Sequence, residues 1–133
     1  MNASLTSLAA SILGFVVLDG LWLGLVMKDF YRTQLMSIGR MSDGGFAPLW
    51  LPAIAVYVLL GIGIAVFVVP RASGVLGAAG LGALFGLVVY GVYDLTNYAT
   101  LAQWPAIVTV ADIAWGTFAC ATVAAIVFSV APR

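Results

Sequence analysis

Histidine and glutamate are absent from this chain, cysteine occurs once, and charge of either sign is scarce. Without histidine there is no imidazole to ligate haem or zinc, or to act as base in a Ser-His-Asp or Cys-His mechanism. With Cys120 alone, no internal disulfide can form. A metal would have to rely on Asp, Asn or backbone oxygens, and no cluster with metal-ligand spacing occurs, so neither metal nor cofactor is expected. Five Lys/Arg balance five Asp and no basic stretch exists, which argues against a nucleic-acid partner. Charged residues make up 8% of the 133, against about 25% in soluble domains, while 64% are hydrophobic. Disorder is excluded by the same balance. What is left is an all-α integral membrane protein, short enough to be a single domain.

Four apolar runs reach the roughly 20 residues that a bilayer demands. They cover about 5–27, 49–69, 75–101 and 105–130, and predict a bundle of four transmembrane helices. Pro70-Arg71 ends the second run, and Pro105 opens the fourth, where its missing N–H costs nothing. The Gln103-Trp104-Pro105 turn is so short that the third and fourth helices must be antiparallel neighbours. The N-terminal run lacks a basic leader and continues through Asp19 and Trp22, so a cleavable signal is not expected. In the long connection, 28–48, the residues Phe30, Tyr31, Leu35 and Ile38 are interspersed with polar ones, predicting a helix extension or a short interfacial helix. Ser42-Asp43-Gly44-Gly45 reads as a flexible turn. We call the membrane face that carries this connection side B. Lys28, Arg32 and Arg40 lie there, against Arg71 and Arg133 on side A, so the positive-inside rule places side B in the cytoplasm and both termini across the membrane.

The polar residues are unevenly spread. All four tryptophans (Trp22, Trp50, Trp104, Trp115) and all five aspartates map to the side B half. Trp50 and Trp104, at span ends, suit an aromatic belt, whereas Trp22 and Trp115 lie inside their spans. Asp19, Asp94 and Asp112 are intramembrane. Counting along the helices puts all three roughly 10–14 Å below side B. An intramembrane carboxylate costs about 2.5–3.5 kcal/mol on insertion scales, so each should face the bundle interior or a wet cavity. Each has a companion three residues on, Asp19 with Trp22, Asp94 with Asn97 and Asp112 with Trp115, a spacing that shares one helical face. Indole N–H and Asn amide groups can both donate to a carboxylate. With Tyr93, Thr96 and Tyr98 nearby, the expectation is a polar pocket open toward side B, formed by Asp19, Trp22, Asp94, Asn97, Tyr98, Asp112 and Trp115, with Lys28 and Arg32 at its rim. The bland alternative is that these groups only join helices by hydrogen bonds.

Small residues form a second pattern. Ala78, Gly82 and Gly86 recur every four residues in the third helix, as do Gly116, Cys120 and Ala124 in the fourth. Such faces permit close packing, within the bundle in the ordinary reading or as a homodimer seam in the other. Cys120 reads as a small packing residue.

Several segments stand out jointly: 18–24 around Asp19-Gly20-Leu21-Trp22, Asp29-Phe30-Tyr31-Arg32, Gly82-Ala83-Leu84-Phe85-Gly86-Leu87, the run from Tyr93-Asp94 to Leu101, Trp104-Pro105, and Asp112-Ile113-Ala114-Trp115-Gly116-Thr117. Together they resemble the small bacterial membrane proteins of the DUF2177 family, over nearly the whole chain. The resemblance implies a four-helix protein of the bacterial inner membrane with no settled biochemical activity, and it assigns no roles to residues.

Three functions stay open at this level. The first is a site for an amphipathic or membrane-lipid ligand, its polar end at the aspartates. An enzymatic version would use Asp94 or Asp112 as acid or base, but no nucleophile or cofactor motif accompanies them. The second is a proton-coupled homodimeric transporter with Asp19 as its membrane carboxylate. The third is an accessory subunit of a larger membrane complex.

Overall fold

The computed structural model describes residues 3–131. Helix α1 (Ala3–Leu21) continues into a wider π turn at Trp22–Val26, closed by a bond from the Met27 N–H to the Trp22 carbonyl. Met27 (φ −116°, ψ 17°) leaves helical geometry, and a separate short helix, α2 (Lys28–Leu35), follows. Next come two very short strands, β1 (Met41–Ser42) and β2 (Gly45–Phe46), paired antiparallel. Their turn is Asp43-Gly44, with φ of 51° and 78°. Both residues are left-handed, the condition of a two-residue hairpin turn, and Asp-Gly is among the pairs that meet it most readily.

Helix α3 (Trp50–Ile62) runs on through a π segment, Gly63–Val68, and a 3₁₀ turn, Val69–Arg71. Arg71 closes that end by donating to the carbonyls of Val66 and Phe67 at 3.0 and 3.1 Å. Helices α4 (Val75–Thr100) and α5 (Ala106–Val130) form the hairpin expected from the short turn. Four helical stretches are long and apolar enough to cross a membrane: Ser4–Val26, Trp50–Arg71, Val75–Thr100 and Ala106–Val130. Large apolar side chains cover the outside, with Leu25, Leu51, Leu76 and Val110 among the most exposed. In water such a surface would aggregate; in lipid it is the favourable exterior.

The α4–α5 contact is the closest in the fold because both faces are made of small residues. A Cβ on Gly82 would lie 2.5 Å from the Cys120 carbonyl oxygen, and one on Gly86 would strike the Gly116 carbonyl oxygen. Gly116 in turn lies directly under the Tyr90 ring. The two small-residue faces therefore pack on each other within one chain. Toward side A the interior is mainly apolar around Phe15, Ile64, Val68, Val123 and Val127, with the buried Ser11 hydroxyl donating to the Ser7 carbonyl of its own helix. Toward side B it becomes aromatic and polar, and a smaller cluster of Tyr31, Trp104 and Val108 binds α2 to the α4–α5 turn. Helix α3 packs against α1, and the following π segment reaches α1, α4 and α5. Near side B, α3 and α4 thus stand apart.

Candidate functional site

The small-residue rows lead straight to the carboxyls. On α4 the four-residue spacing Gly82, Gly86, Tyr90 continues to Asp94, and on α5 the row Ala124, Cys120, Gly116 continues to Asp112. The contact that draws the two backbones together therefore turns both carboxyls into the same interface. Asp94 is wholly buried, at 0% exposure. Neither of its oxygens has a hydrogen-bond partner. Its neighbour is the Asp112 carboxyl, near enough for one acid to donate to the other if it carries a proton. As carboxylates both are acceptors only. Asp19 is also buried, at 8% exposure, and stands apart from this pair but within its electrostatic reach.

The indoles make bonds across helices rather than to their own i−3 aspartates. Trp115 Nε1–H of α5 donates to Asp19 Oδ1 of α1 at 2.7 Å. Trp22 Nε1–H, from the π turn after α1, donates to the Tyr31 hydroxyl at 3.1 Å. Tyr31 then donates to Asp112 Oδ1. The two indoles stack face to face, 4.4 Å between centroids and 3° from parallel. One connected network thus runs from Asp19 through Trp115 and Trp22 to Tyr31 and Asp112, and Asp94 lies beside its end without a bond to it. Among the described residues no three acidic or thiol side chains converge as a metal cage would require.

Tyr31 closes the side B approach to the pair. It is 5% exposed and packs with Trp104 and Val108, while its ring meets Phe30 edge-on. Burial, and then the Asp112 carboxylate that accepts its proton, hold the Tyr31 hydroxyl above its ordinary range, so it remains a donor. Trp104, rather than lying in a belt, is buried in this cluster and donates to Thr109 Oγ1 at 3.1 Å. Trp50, 72% exposed at the start of α3, has the placement of an interfacial anchor.

Of the residues expected at the site, Asp19, Trp22, Asp112 and Trp115 meet in the network, with Asp94 beside its end. Asn97 is half-buried beside the Tyr93 hydroxyl. Tyr98 is 53% exposed on the outer surface. Lys28 is exposed, and Arg32 pairs with Asp29 at 3.3 Å on α2 itself. Among the described residues this is the one ion pair, so none of the three intramembrane aspartates has a basic partner. The sequence reading did not include Tyr31, Tyr57 or Tyr90 among the site residues. Tyr90 was legible as the member of the α4 row between Gly86 and Asp94. Tyr31 carried only the weak signal of an aromatic in an amphipathic stretch. Tyr57 of α3, whose hydroxyl approaches Asp19, had no local signal.

Room for a ligand exists beside the network. A cleft of about 500 Å³ opens sideways between α3 and α4, with Val56, Leu59, Leu60, Phe85, Tyr90 and Tyr93 in its walls. Tyr90 is shared: it faces the cleft, and its surroundings include Asp19 and Asp112.

Fold and site together define a four-span integral membrane protein whose intramembrane acids are gathered inside the bundle beneath an aromatic cover. The family described as "Predicted membrane protein (DUF2177)" matches residues 4–129, and the chain belongs to it. No curated protein and no solved structure shows significant similarity to the chain.

Proposed function

We propose that this protein binds an amphipathic, lipid-like molecule inside the bilayer, its tail in the cleft between α3 and α4 and a hydrogen-bond-donating polar end at the carboxyl pair. The observation that carries this reading is Asp94, fully buried with both oxygens lacking a donor. An unmatched buried acceptor costs about 1–3 kcal/mol, and more when charged. Intramembrane acids are rare enough that one kept at this cost marks a functional position. The pair does not line the cleft, so a wall side chain such as Tyr90 must move aside for a hydroxyl, amide or amine on the ligand to supply the missing donor. An anionic head is disfavoured there, because it would meet aspartates with no basic residue beside them. The cleft walls are mostly apolar and open to the surrounding lipid, so entry is lateral and the tail need not cross water. By the positive-inside rule, the polar end then lies nearer the cytoplasmic face. No nucleophile accompanies the acids, and the reading is one of binding rather than reaction.

Stripping bound lipid by stringent detergent exchange tests it. A ligand at 100 times its Kd stabilises the folded state by about 2.7 kcal/mol. The thermal midpoint of the wild type is therefore expected to fall by several degrees on stripping. Asp94→Asn, whose amide supplies Asp112 with a donor of its own, should fall by less. Equal shifts in the two proteins, or no shift in the wild type, would contradict the proposal.

A further inference from the structure

We infer that the β1–β2 hairpin and the first turns of α3 form a seat for one anionic phospholipid of the side B leaflet, with its phosphate on Arg40 and one acyl chain lying along α3. This seat is separate from the carboxyl pair and does not depend on it.

A second cavity, about 370 Å³, is bounded by Arg40 and Phe46 at the hairpin and by Pro48, Pro52 and Ala53 at the start of α3. It ends at Val56, which also lines the lateral cleft. Arg40 is the one charged residue on its wall. Arg32 is engaged with Asp29 and Arg71 with two backbone carbonyls, while Lys28 stands at the start of α2 and does not line this cavity. Among the described residues Arg40 has no ion pair, and Asp43 at the hairpin tip is beyond ion-pair distance from it.

The hairpin also fixes where this cation stands. The Ala47 N–H donates to the Arg40 carbonyl at 2.7 Å, directly beyond the Met41–Phe46 pairing. Phe46 in turn lies over Gly39, where a Cβ would come within 2.7 Å of its ring. A two-residue turn and one aromatic contact thus hold the Arg40 backbone at the top of the furrow.

Its dimensions and level fit a lipid. From Leu49 at its head to Val56 at its foot, α3 rises about 10 Å at roughly 1.5 Å per residue, which keeps the furrow within one leaflet. One leaflet's hydrocarbon is half of a core about 30 Å thick, or about 15 Å. The exposed Trp50 marks the interface at the same level. A guanidinium recognises phosphate through paired N–H donors, and the negative potential of an anionic leaflet attracts basic groups near the surface.

The test uses the full-length protein, delipidated and titrated with phosphatidylglycerol or phosphatidylcholine, with retained lipid counted by native mass spectrometry. The wild type should hold one phosphatidylglycerol more tightly than phosphatidylcholine. Arg40→Gln should weaken that binding at least tenfold and abolish the preference, while Lys28→Gln and Asp94→Asn retain it. Ala53→Leu, which fills the furrow and leaves the charge untouched, should also weaken it. Arg40→Gln binding like the wild type would overturn the proposal. So would Lys28→Gln losing as much as Arg40→Gln, since that result would mean diffuse attraction. Unchanged binding in Ala53→Leu would refute the placement of the chain.

Discussion

Gly86→Leu is expected to abolish the packed bundle, giving aggregated protein on size exclusion and no cooperative thermal transition. Any Cβ at this position meets the Gly116 carbonyl oxygen, and the Cys120 Cβ is 2.9 Å away. The first obstacle is backbone, so it cannot rotate out of the way, and α4 and α5 must separate along their length. Overpacking of a well-filled interior costs about 1–3 kcal/mol even where side chains can adjust. Here the damage reaches both ends of the row, from the Gly82 contact to the Asp94–Asp112 pair. Gly80→Leu is the matched control: it lies on the same helix, with nothing within 4 Å of its Cβ position. It should fold as the wild type does. Equal behaviour of the two variants would mean that the small-residue rows do not set the α4–α5 distance.

Tyr31→Phe should destabilise the protein by about 2–3 kcal/mol, the sum of two hydrogen bonds, one of them to an acidic acceptor. The lost hydroxyl is acceptor for Trp22 and donor to Asp112. The ring keeps its packing with Trp104 and Val108, so the loss isolates the hydroxyl from the burial of α2. Trp22 is left with an unmatched indole N–H in the stack with Trp115, and tryptophan emission should shift along with the thermal midpoint. A variant with wild-type midpoint and emission would show that α2 is held by apolar contact alone. The Tyr31 hydroxyl is kept protonated by burial and by Asp112, so this latch should not loosen through the tyrosine's own titration as pH rises modestly above neutrality.

The four spans were legible because a bilayer imposes length and apolarity on every segment that crosses it. That Asp19, Asp94 and Asp112 come within electrostatic reach of one another was legible because helical rise is constant. Pairing was not. The i, i+3 spacing shows which residues share a face, but the donor that a carboxylate accepts from is chosen by the neighbouring helix. Thus Asp19 is bonded to Trp115, which lies 96 positions away, and not to Trp22. The small-residue rows and the aspartates, two separate patterns on the page, prove to be one row on each helix, visible only once the four-residue step is carried past Gly86 and Gly116. Tyr98 sits on that same spacing beyond Asp94, but at its level α5 has given way to the turn, and the side chain is exposed. The hairpin was signalled by Asp43-Gly44. Its strands are two residues each, too short for alternation to show, and the segment read as a flexible turn. The break at Met27 has no Gly or Pro to announce it.

The central claim is that a buried, donor-less Asp94 beside Asp112 is matched by a bound molecule. Mass spectrometry of small molecules and lipids released from protein purified from its membrane, wild type against Asp94→Asn, tests this most directly. The account predicts one amphipathic species, carrying a hydroxyl, amide or amine, in near-stoichiometric amount with the wild type and depleted from the variant. Identical extracts from two equally well-folded proteins would contradict it.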